Sequence, residues 1–419
     1  MSKPSATRAG SPQRIAIVGA GVAGCAAALA LSRQGLAVDL FEAVAEPQPI
    51  GAGLLLQPTG QQVLQALGLL EPLLGLGAKV DRLFGDTPSG RTVLDMSYHR
   101  FSPQAYGLGV QRGALMGVLW QALRASEVNW RCGVAASRFE QEGEQVRLFA
   151  GETALGSYAA LLLANGSFSK LREQMQVKQS ARVFPYGALW TVLPRPAQFP
   201  ELDLRQRFRG ARQMLGLMPV GRNFGDAPEA AAGVNLFWSL PLAEVQGWHA
   251  AAGAQGLARL KQEMVDLLPL CEPLLGGLQD PAQLRQARYA DVQMAHWHQG
   301  RVLAIGDCGH GMSPQLGQGA NLALIDAHVL AGLCAGQNQG QLDWPALLAR
   351  YSRERRAHLR FYSQASRGLT PMFQSNQRLA PFLRDRFFGW GGRLPLVHQQ
   401  SIATLSGVKT GWLLGRLKL

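Results

Sequence analysis

Arg301-Val302-Leu303-Ala304-Ile305-Gly306-Asp307-Cys308-Gly309-His310-Gly311-Met312-Ser313-Pro314-Gln315-Leu316-Gly317-Gln318-Gly319-Ala320-Asn321, running on to Asp326, is the stretch that decides how this chain is read. Arg301–Ile305 is a short apolar strand, Gly and Pro then make a turn, and Leu322–Leu333 has helical spacing. A strand, a glycine loop and a helix N-terminus in that order form a site for a negatively charged or electron-accepting group. The first N–H groups of the helix lack partners and its dipole is positive there. Glycine lets the backbone approach such a group with no side chain in between.

A second unit of this kind lies near the N-terminus. Ile15–Val18 reads as a buried parallel strand that runs into Gly19-Ala20-Gly21-Val22-Ala23-Gly24 and a small-residue helix, Cys25–Gln34. The next strand, Ala37–Phe41, ends at Glu42. This is a dinucleotide-binding fingerprint in its proper setting. Gly19 makes the tight turn, Gly21 admits a pyrophosphate, Gly24 packs helix on strand, and Glu42 accepts hydrogen bonds from ribose hydroxyls. The fingerprint alone does not separate NAD from FAD.

Three further segments carry a family resemblance. Gly306-Asp307, Pro314, Gly317-Gln318-Gly319-Ala320-Asn321 and Asp326-Ala327 resemble the third flavin motif of flavoprotein monooxygenases of the para-hydroxybenzoate hydroxylase type. Val110-Gln111-Arg112-Gly113-Ala114-Leu115 resembles that family's Arg-containing helix start. Leu162–Arg172 resembles its second motif, with Asn165 in place of the aspartate; the amide keeps hydrogen bonding but loses the charge. That departure weakens any inherited role for this position in pyridine-nucleotide handling. Gly51-Ala52-Gly53, followed by Leu54–Pro58, matches the loop near the flavin's other face.

The resemblance implies an α/β fold: a Rossmann-like FAD-binding domain with an inserted antiparallel β-sheet substrate domain and a C-terminal helical region. It places Asp307 on the ribityl chain, Arg112 near the phosphate–ribityl region and Pro314 beside the reactive edge of the ring. The cofactor-binding expectation is Gly19, Gly21, Ala23, Gly24, Glu42, Gly53, Arg112, Asn165, Asp307, Gly317, Gly319, Ala320 and Asn321. Pro314 and Gly319 are expected to shape the reactive end through the backbone, with no side-chain acid or base assigned. The chemistry implied uses FAD, with NAD(P)H as a transient co-substrate lacking a domain of its own. One oxygen atom of O2 passes through a flavin C4a-hydroperoxide to an electron-rich ring. His310 is read as structural. His296 and His298 have the spacing of two metal ligands but no third, so no metal is expected.

Between the second and third motifs the pattern changes to period two. Tyr186, Ala188, Trp190 and Val192 alternate with Gly187, Leu189, Thr191 and Leu193, and Gln213–Met218 and Val234–Ser239 are two more candidate strands. Trp190, Met214, Met218, Phe237 and Trp238 are the candidate pocket residues. No Lys or Arg interrupts these faces, which predicts a neutral, lipophilic aromatic substrate over a benzoate-like acid. The domain expectation is 1–80, 101–180 and 285–345 for FAD, 81–100 and 181–284 for substrate, and 346–419 for a basic helical region. Two alternatives remain open. One is another flavoenzyme on the same fold, a reductase or a halogenase, although the halogenase signature Trp-x-Trp-x-Ile-Pro is absent. The other is a non-catalytic FAD-binding protein that holds an intermediate.

Composition bounds the setting. The 419 residues are 47% hydrophobic with a mean hydropathy of −0.01, which fits a globular chain of two or three domains. Five cysteines, odd in number and without CxxC spacing, point to a reducing compartment rather than a disulfide framework. The polar, basic lead before Arg14 reads as unstructured rather than as a signal peptide, and no apolar run approaches the ~20 residues of a membrane span. A cytoplasmic protein is expected. From Tyr351 onward twelve Lys or Arg face only Glu354 and Asp385, so ten of the net thirteen positive charges lie there. Phe387, Phe388, Trp390, Trp412, Leu413 and Leu414 interleave with them. This suits an anionic membrane surface or an acidic partner; the alternative is a solvated basic cap. No nucleic-acid recognition motif accompanies the charge.

Overall fold

The computed structural model describes residues 13–417 except 50, 198, 200–202, 252, 339–340, 393 and 414. The N-terminal lead up to residue 12, Arg393, Leu414 and Lys418 thus lie outside the described residues. The expected strand–loop–helix units form the centre of a six-stranded sheet. Its order is His298–Gln299, Val302–Ala304, Ala160–Leu163, Arg14–Val18, Ala37–Phe41, Asn129–Arg131, parallel except at the first pair. Ile15, Ile17, Leu162 and Leu303 are fully buried, as strands covered on both faces must be. The helix Val22–Ser32 leaves the end of Arg14–Val18 and packs on the helix Gly319–Cys334, which follows Val302–Ala304. Ala26, Ala27 and Ala28 are fully buried, and side chains this small let the two helices approach closely. Both helix starts therefore open at the carboxyl ends of the parallel strands, where such folds bind ligands.

A seven-stranded sheet stands over this edge. Its order is Arg285–Ala287, Tyr186–Pro194, Gly233–Pro241, Gln213–Gly221, Leu204–Arg209, Arg82–Asp86, Thr92–Ser97. The three expected strands are its centre, each longer than the sequence pattern indicated; the other four were not foreseen. Leu189, Leu193, Leu215, Leu217, Leu236 and Trp238 point to one face, where they form a core with the helix Gly253–Leu267. Trp190, Met214, Met218, Asn235 and Phe237 point to the other, as the registers Trp190↔Phe237 and Met218↔Asn235 require.

The C-terminal region is helical: Trp344–Phe373, Leu379–Gly391 and Pro395–Leu405. The first begins at Asp343, whose side chain accepts from Ala346 N at 3.1 Å, a typical N-cap. Its charge is not all outside. Arg355 and Arg384 are at most 1% exposed, and Lys409 is buried too. No helix among the described residues is long and apolar enough to cross a membrane.

Candidate active site

The structure brings the two glycine motifs into contact. A Cβ built on Gly306 would lie 2.6 Å from the Cβ of Ala23, so the fingerprint and the later loop meet at these residues. Gly19 has φ +105°, and a Cβ there would lie 2.6 Å from Ala164 O and 2.8 Å from Asn165 Cα. Gly24 is tighter still, with a Cβ 1.8 Å from Gly19 O. Glycine at these two positions is a steric requirement, and Asn165 is part of the same knot. Glu42 Oε2 accepts from Ala20 N at 2.9 Å and Oε1 from Val44 N at 3.0 Å. A carboxylate offers about four acceptor positions, so sites remain for two hydroxyls.

The other end of the cradle is held by amide side chains. Asn321 is fully buried; its Oδ1 accepts from Gln57 N at 2.9 Å, and its Nδ2 donates to Leu55 O at 3.2 Å and Gly317 O at 3.1 Å. It thereby stitches the strand Gly53–Leu56 to the glycine loop through its side chain, where the sequence reading relied on backbone alone. Asn235 reaches down from the sheet to accept from Gly53 N at 2.9 Å. Arg112 opens the helix Arg112–Arg124, with its stem beside Gly51 and its N–H donating to Ala52 O. Asp307 lies near Gly319, its Oδ1 3.6 Å from where a Cβ would be. Pro314 starts a single turn that ends at Gly317, φ +59°. Ser313 ties that turn to the long C-terminal helix through Ser366 Oγ at 2.9 Å and Thr370 Oγ1 at 2.8 Å.

Two observations test whether a flavin dinucleotide suits these residues. A Cβ on Gly21 or Gly166 would meet nothing within 4 Å, so open space lies where a pyrophosphate would approach. Gln57 is buried, its Oε1 taken by Tyr98 Oη at 2.5 Å, while its Nε2 has no protein partner. That donor is the nearest atom to a Cβ built on Gly317, at 3.9 Å. A buried N–H beside a helix start calls for an acceptor such as a ring carbonyl. The residues fit FAD.

His310 is buried and bonded to a carboxylate. Its Nε2–H donates to Asp326 Oδ2 at 2.6 Å, and Gly306 N donates to the same oxygen at 2.8 Å. Asp326 Oδ1 accepts from Arg355 Nε at 2.9 Å. Burial opposes the Asp326 charge, yet His310 and Arg355 hold the carboxyl below its usual range. Arg355 also donates to His358 Nδ1 at 2.6 Å, which makes Nε2 the protonated nitrogen and lets it donate to Gly407 O at 2.8 Å. This chain joins the glycine loop to the C-terminal segment.

Burial and the neighbouring Arg355 cation push His358 down to about 3. The unfolded chain takes up a proton near ~6.5 that the folded site refuses, so the associated stability is complete above that pH. It falls by roughly 1.4 kcal/mol per pH unit as pH drops toward the folded value. Unfolding free energies from denaturant titrations at pH 7 and pH 5 should differ by about 2 kcal/mol from this group. His358→Gln keeps an acceptor for Arg355 and should flatten that slope; an unchanged slope would remove His358 from the account. His298, also lowered by burial, works in the same direction. Its Nδ1 meets Ser352 Oγ at 2.8 Å, a structural partner for the two-histidine pattern.

The pleat corrects the pocket list. Trp238 is fully buried in the core on the far face, away from the cradle, so it cannot line the pocket. Phe237 and Trp238 are adjacent, and adjacent strand residues point to opposite faces. Met214 and Met218 point the right way but are at most 6% exposed: Met214 packs with Phe373, and Met218 with Leu55 and Leu405. Trp190 and Phe237 are half-buried and keep free surface. Arg205 and Arg207 lie on the far face, where both pair with Asp86. Arg285, the cross-strand neighbour of Trp190 at the sheet edge, is an exposed cation on the cradle side that the three-strand reading did not include. Gln57, Tyr98, Asn235 and Gln318 were also missed. Each acts through a contact distant in sequence; Gln318 Nε2, for example, donates to Leu405 O at 2.7 Å.

The fold is Rossmann-type, with two helix starts converging at the carboxyl ends of the parallel strands, where the residues present suit a flavin dinucleotide. Over residues 13–193 and 249–366, well over half its length, the chain matches the FAD binding domain family. Aurachin C monooxygenase/isomerase of Stigmatella aurantiaca is 26% identical over 345 residues, covering 80% of this chain and 83% of that protein. 6-Hydroxynicotinate 3-monooxygenase of Bordetella bronchiseptica is 26% identical over 335 residues, covering 76% and 81%. The solved structure of Klebsiella pneumoniae HpxO complexed with FAD and uric acid superposes with a TM-score of 0.77 at 22% identity, covering 94% of this chain and 97% of that one. The chain belongs to the FAD binding domain family and is an FAD-dependent flavoprotein monooxygenase.

Proposed function

We propose that this monooxygenase consumes NAD(P)H and inserts one oxygen atom of O2 into a neutral, lipophilic aromatic ring held between the Pro314 turn and the sheet face of Trp190 and Phe237. The observation that carries this is the lack of any Lys or Arg on that face across the three central strands. Bound FAD supplies the hydride acceptance and oxygen activation. The chain's own residues do the rest. Glu42 and the Gly19–Gly24 turn hold the adenosine end, Asp307 and Arg112 the middle, and the Gln57 amide with the Gly319 helix start offers N–H groups to negative charge on the ring. Trp190 and Phe237 orient the substrate by apolar contact and exclude water. The proposed division of labour keeps 81–100 and 181–284 as the substrate layer; six of the seven strands of the large sheet fall within these bounds, and the seventh, Arg285–Ala287, lies just beyond them. The chain is proposed to be cytoplasmic, with peripheral contact between its basic C-terminal region and an anionic membrane.

Arg285 favours a second reading, an acidic ring whose carboxylate would pair with it. Purified yellow protein, assayed for substrate-stimulated NAD(P)H oxidation with product mass, distinguishes the two. Lipophilic phenols, quinolones and prenylated aromatics should give coupled oxygen insertion, with KM raised by about tenfold in Trp190→Ala. Arg285→Ala should leave KM unchanged. Turnover of small benzoates alone, with KM rising in Arg285→Ala, would replace the neutral reading by the acidic one. Absence of both activities in FAD-loaded protein would favour a binding protein.

A further inference from the structure

Ten of the thirteen strongly exposed large apolar side chains among the described residues lie between Leu379 and Leu413. Five of them share one helix, where their spacing decides whether they form a patch or scattered surface residues. In the helix Leu379–Gly391 the outward positions are Leu379, Phe382, Leu383, Arg386, Phe387 and Trp390, which follow i, i+3, i+4, i+7, i+8 and i+11. They form one stripe. The opposite side buries Pro381 and Arg384, and it sets Gly389 so close to the strand Thr92–Ser97 that a Cβ would lie 2.2 Å from Thr92 O. The helix is therefore amphipathic in the reverse sense: its polar anchor Arg384 points inward and donates to Met372 O at 2.8 Å and Gly210 O at 3.0 Å. Exposed Leu394, Leu396 and Val397 follow directly after it, and the helix Pro395–Leu405 rests on the same strand.

Charge selects the occupant. Arg386 is exposed within the stripe and Arg378 just before its first residue, and Asp385, the one acid of this helix, is already engaged by Arg384 at 2.8 Å. Beside the stripe, Arg91, Thr92, Asp385, Arg386, Gly389 and Trp390 line a recess open to solvent. Aromatic side chains with flanking arginines, on a helix that presents its apolar side outward, match the headgroup boundary of a bilayer. We infer that the outer side of Leu379–Gly391, with exposed Leu394, Leu396 and Val397 beyond it, forms a face that docks onto an anionic phospholipid surface, with Phe382, Phe387 and Trp390 inserted and Arg378, Arg386 and Arg91 on the headgroup phosphates. This rests on the membrane contact proposed for the C-terminal region and names its face and lipid class; it does not depend on the reaction. The inner side of the same helix meets the substrate layer, because Phe388 packs on Phe373 at 6.2 Å and Phe373 belongs to the cluster against which Phe237 packs.

Flotation of the full-length, FAD-loaded protein with vesicles of phosphatidylcholine, with or without phosphatidylglycerol, tests the face. The protein should float with phosphatidylglycerol vesicles and release at high salt. Phe382→Glu/Phe387→Glu/Trp390→Glu should weaken partitioning at least ~tenfold while keeping the yellow cofactor and thermal midpoint, since none of the three is buried. Arg378→Gln/Arg386→Gln should reduce the preference for phosphatidylglycerol. A wild type that floats with neither vesicle, or a triple variant that floats like wild type, overturns the proposal. A lipid-free dimer on gel filtration that the triple variant dissociates, without flotation, assigns the face to a second copy instead. Substrate-stimulated NAD(P)H oxidation without vesicles is read on the same preparations. Failure to float with turnover intact removes the membrane face alone and leaves the monooxygenase reading standing.

Discussion

Asp326→Asn is expected to destabilise the protein by about 3–5 kcal/mol, because it leaves the Arg355 cation buried without its counter-charge. Arg355 is 1% exposed and Asp326 fully buried. The asparagine would also place an NH2 group where three donors converge: His310 Nε2, Arg355 Nε and Gly306 N. One donor would then face another with no water to intervene. Gly306 begins the flavin loop, so FAD retention should fall together with stability. Urea unfolding of the loaded protein measures the first effect, and the fraction of FAD kept after gel filtration measures the second. Asp326→Leu/Arg355→Met, which removes both charges, should be milder than either single change. A loss below about 1 kcal/mol for Asp326→Asn would show that the network does not hold the loop.

Gly24→Ala should weaken FAD binding by roughly 10- to 100-fold, the equivalent of about 1–3 kcal/mol of overpacking. Its methyl would sit 1.8 Å from Gly19 O, and Gly19 cannot retreat because Ala164 O already lies 2.6 Å from its own Cβ position. Helix and strand must therefore part, which also lowers the stability of the cofactor-free protein. Gly21→Ala separates the two consequences. Nothing lies within 4 Å of its Cβ, so the cofactor-free protein should be unaffected while FAD affinity falls. Fluorescence titration with FAD, paired with thermal unfolding of the apoprotein, reads both. Wild-type affinity in Gly21→Ala would mean that the open space there is not the pyrophosphate site.

The two glycine turns were legible because their constraints are local. Gly19 needs a positive φ, Gly24 needs the absence of a Cβ, and Glu42 needs only to end the next strand; each demand leaves its mark within about twenty residues. The substrate face was legible only in part. Period two marked the strands, but nothing in the pattern said which of Phe237 and Trp238 faces the cradle. The core formed with Gly253–Leu267 claimed Trp238. Arg285 escaped notice because its strand is only three residues long. The tail's charge was counted correctly but not located: Arg355 and Arg384 serve the interior, while Arg378 and Arg386 lie outside beside exposed aromatics.

The sequence by itself determined the two strand–glycine-turn–helix units and the three central strands of the large sheet, since glycine conformations, strand ends and helix starts are short-range properties of the backbone. Only the tertiary structure decided which sheet face turns toward the glycine loops and how the Thr404–Gly407 segment packs on them. Asn235 on Gly53, Gln318 on Leu405 and His358 on Gly407 join residues between 49 and 182 positions apart. Such partners are chosen by the packing of whole elements, which satisfies buried donors and charges that no local pattern records.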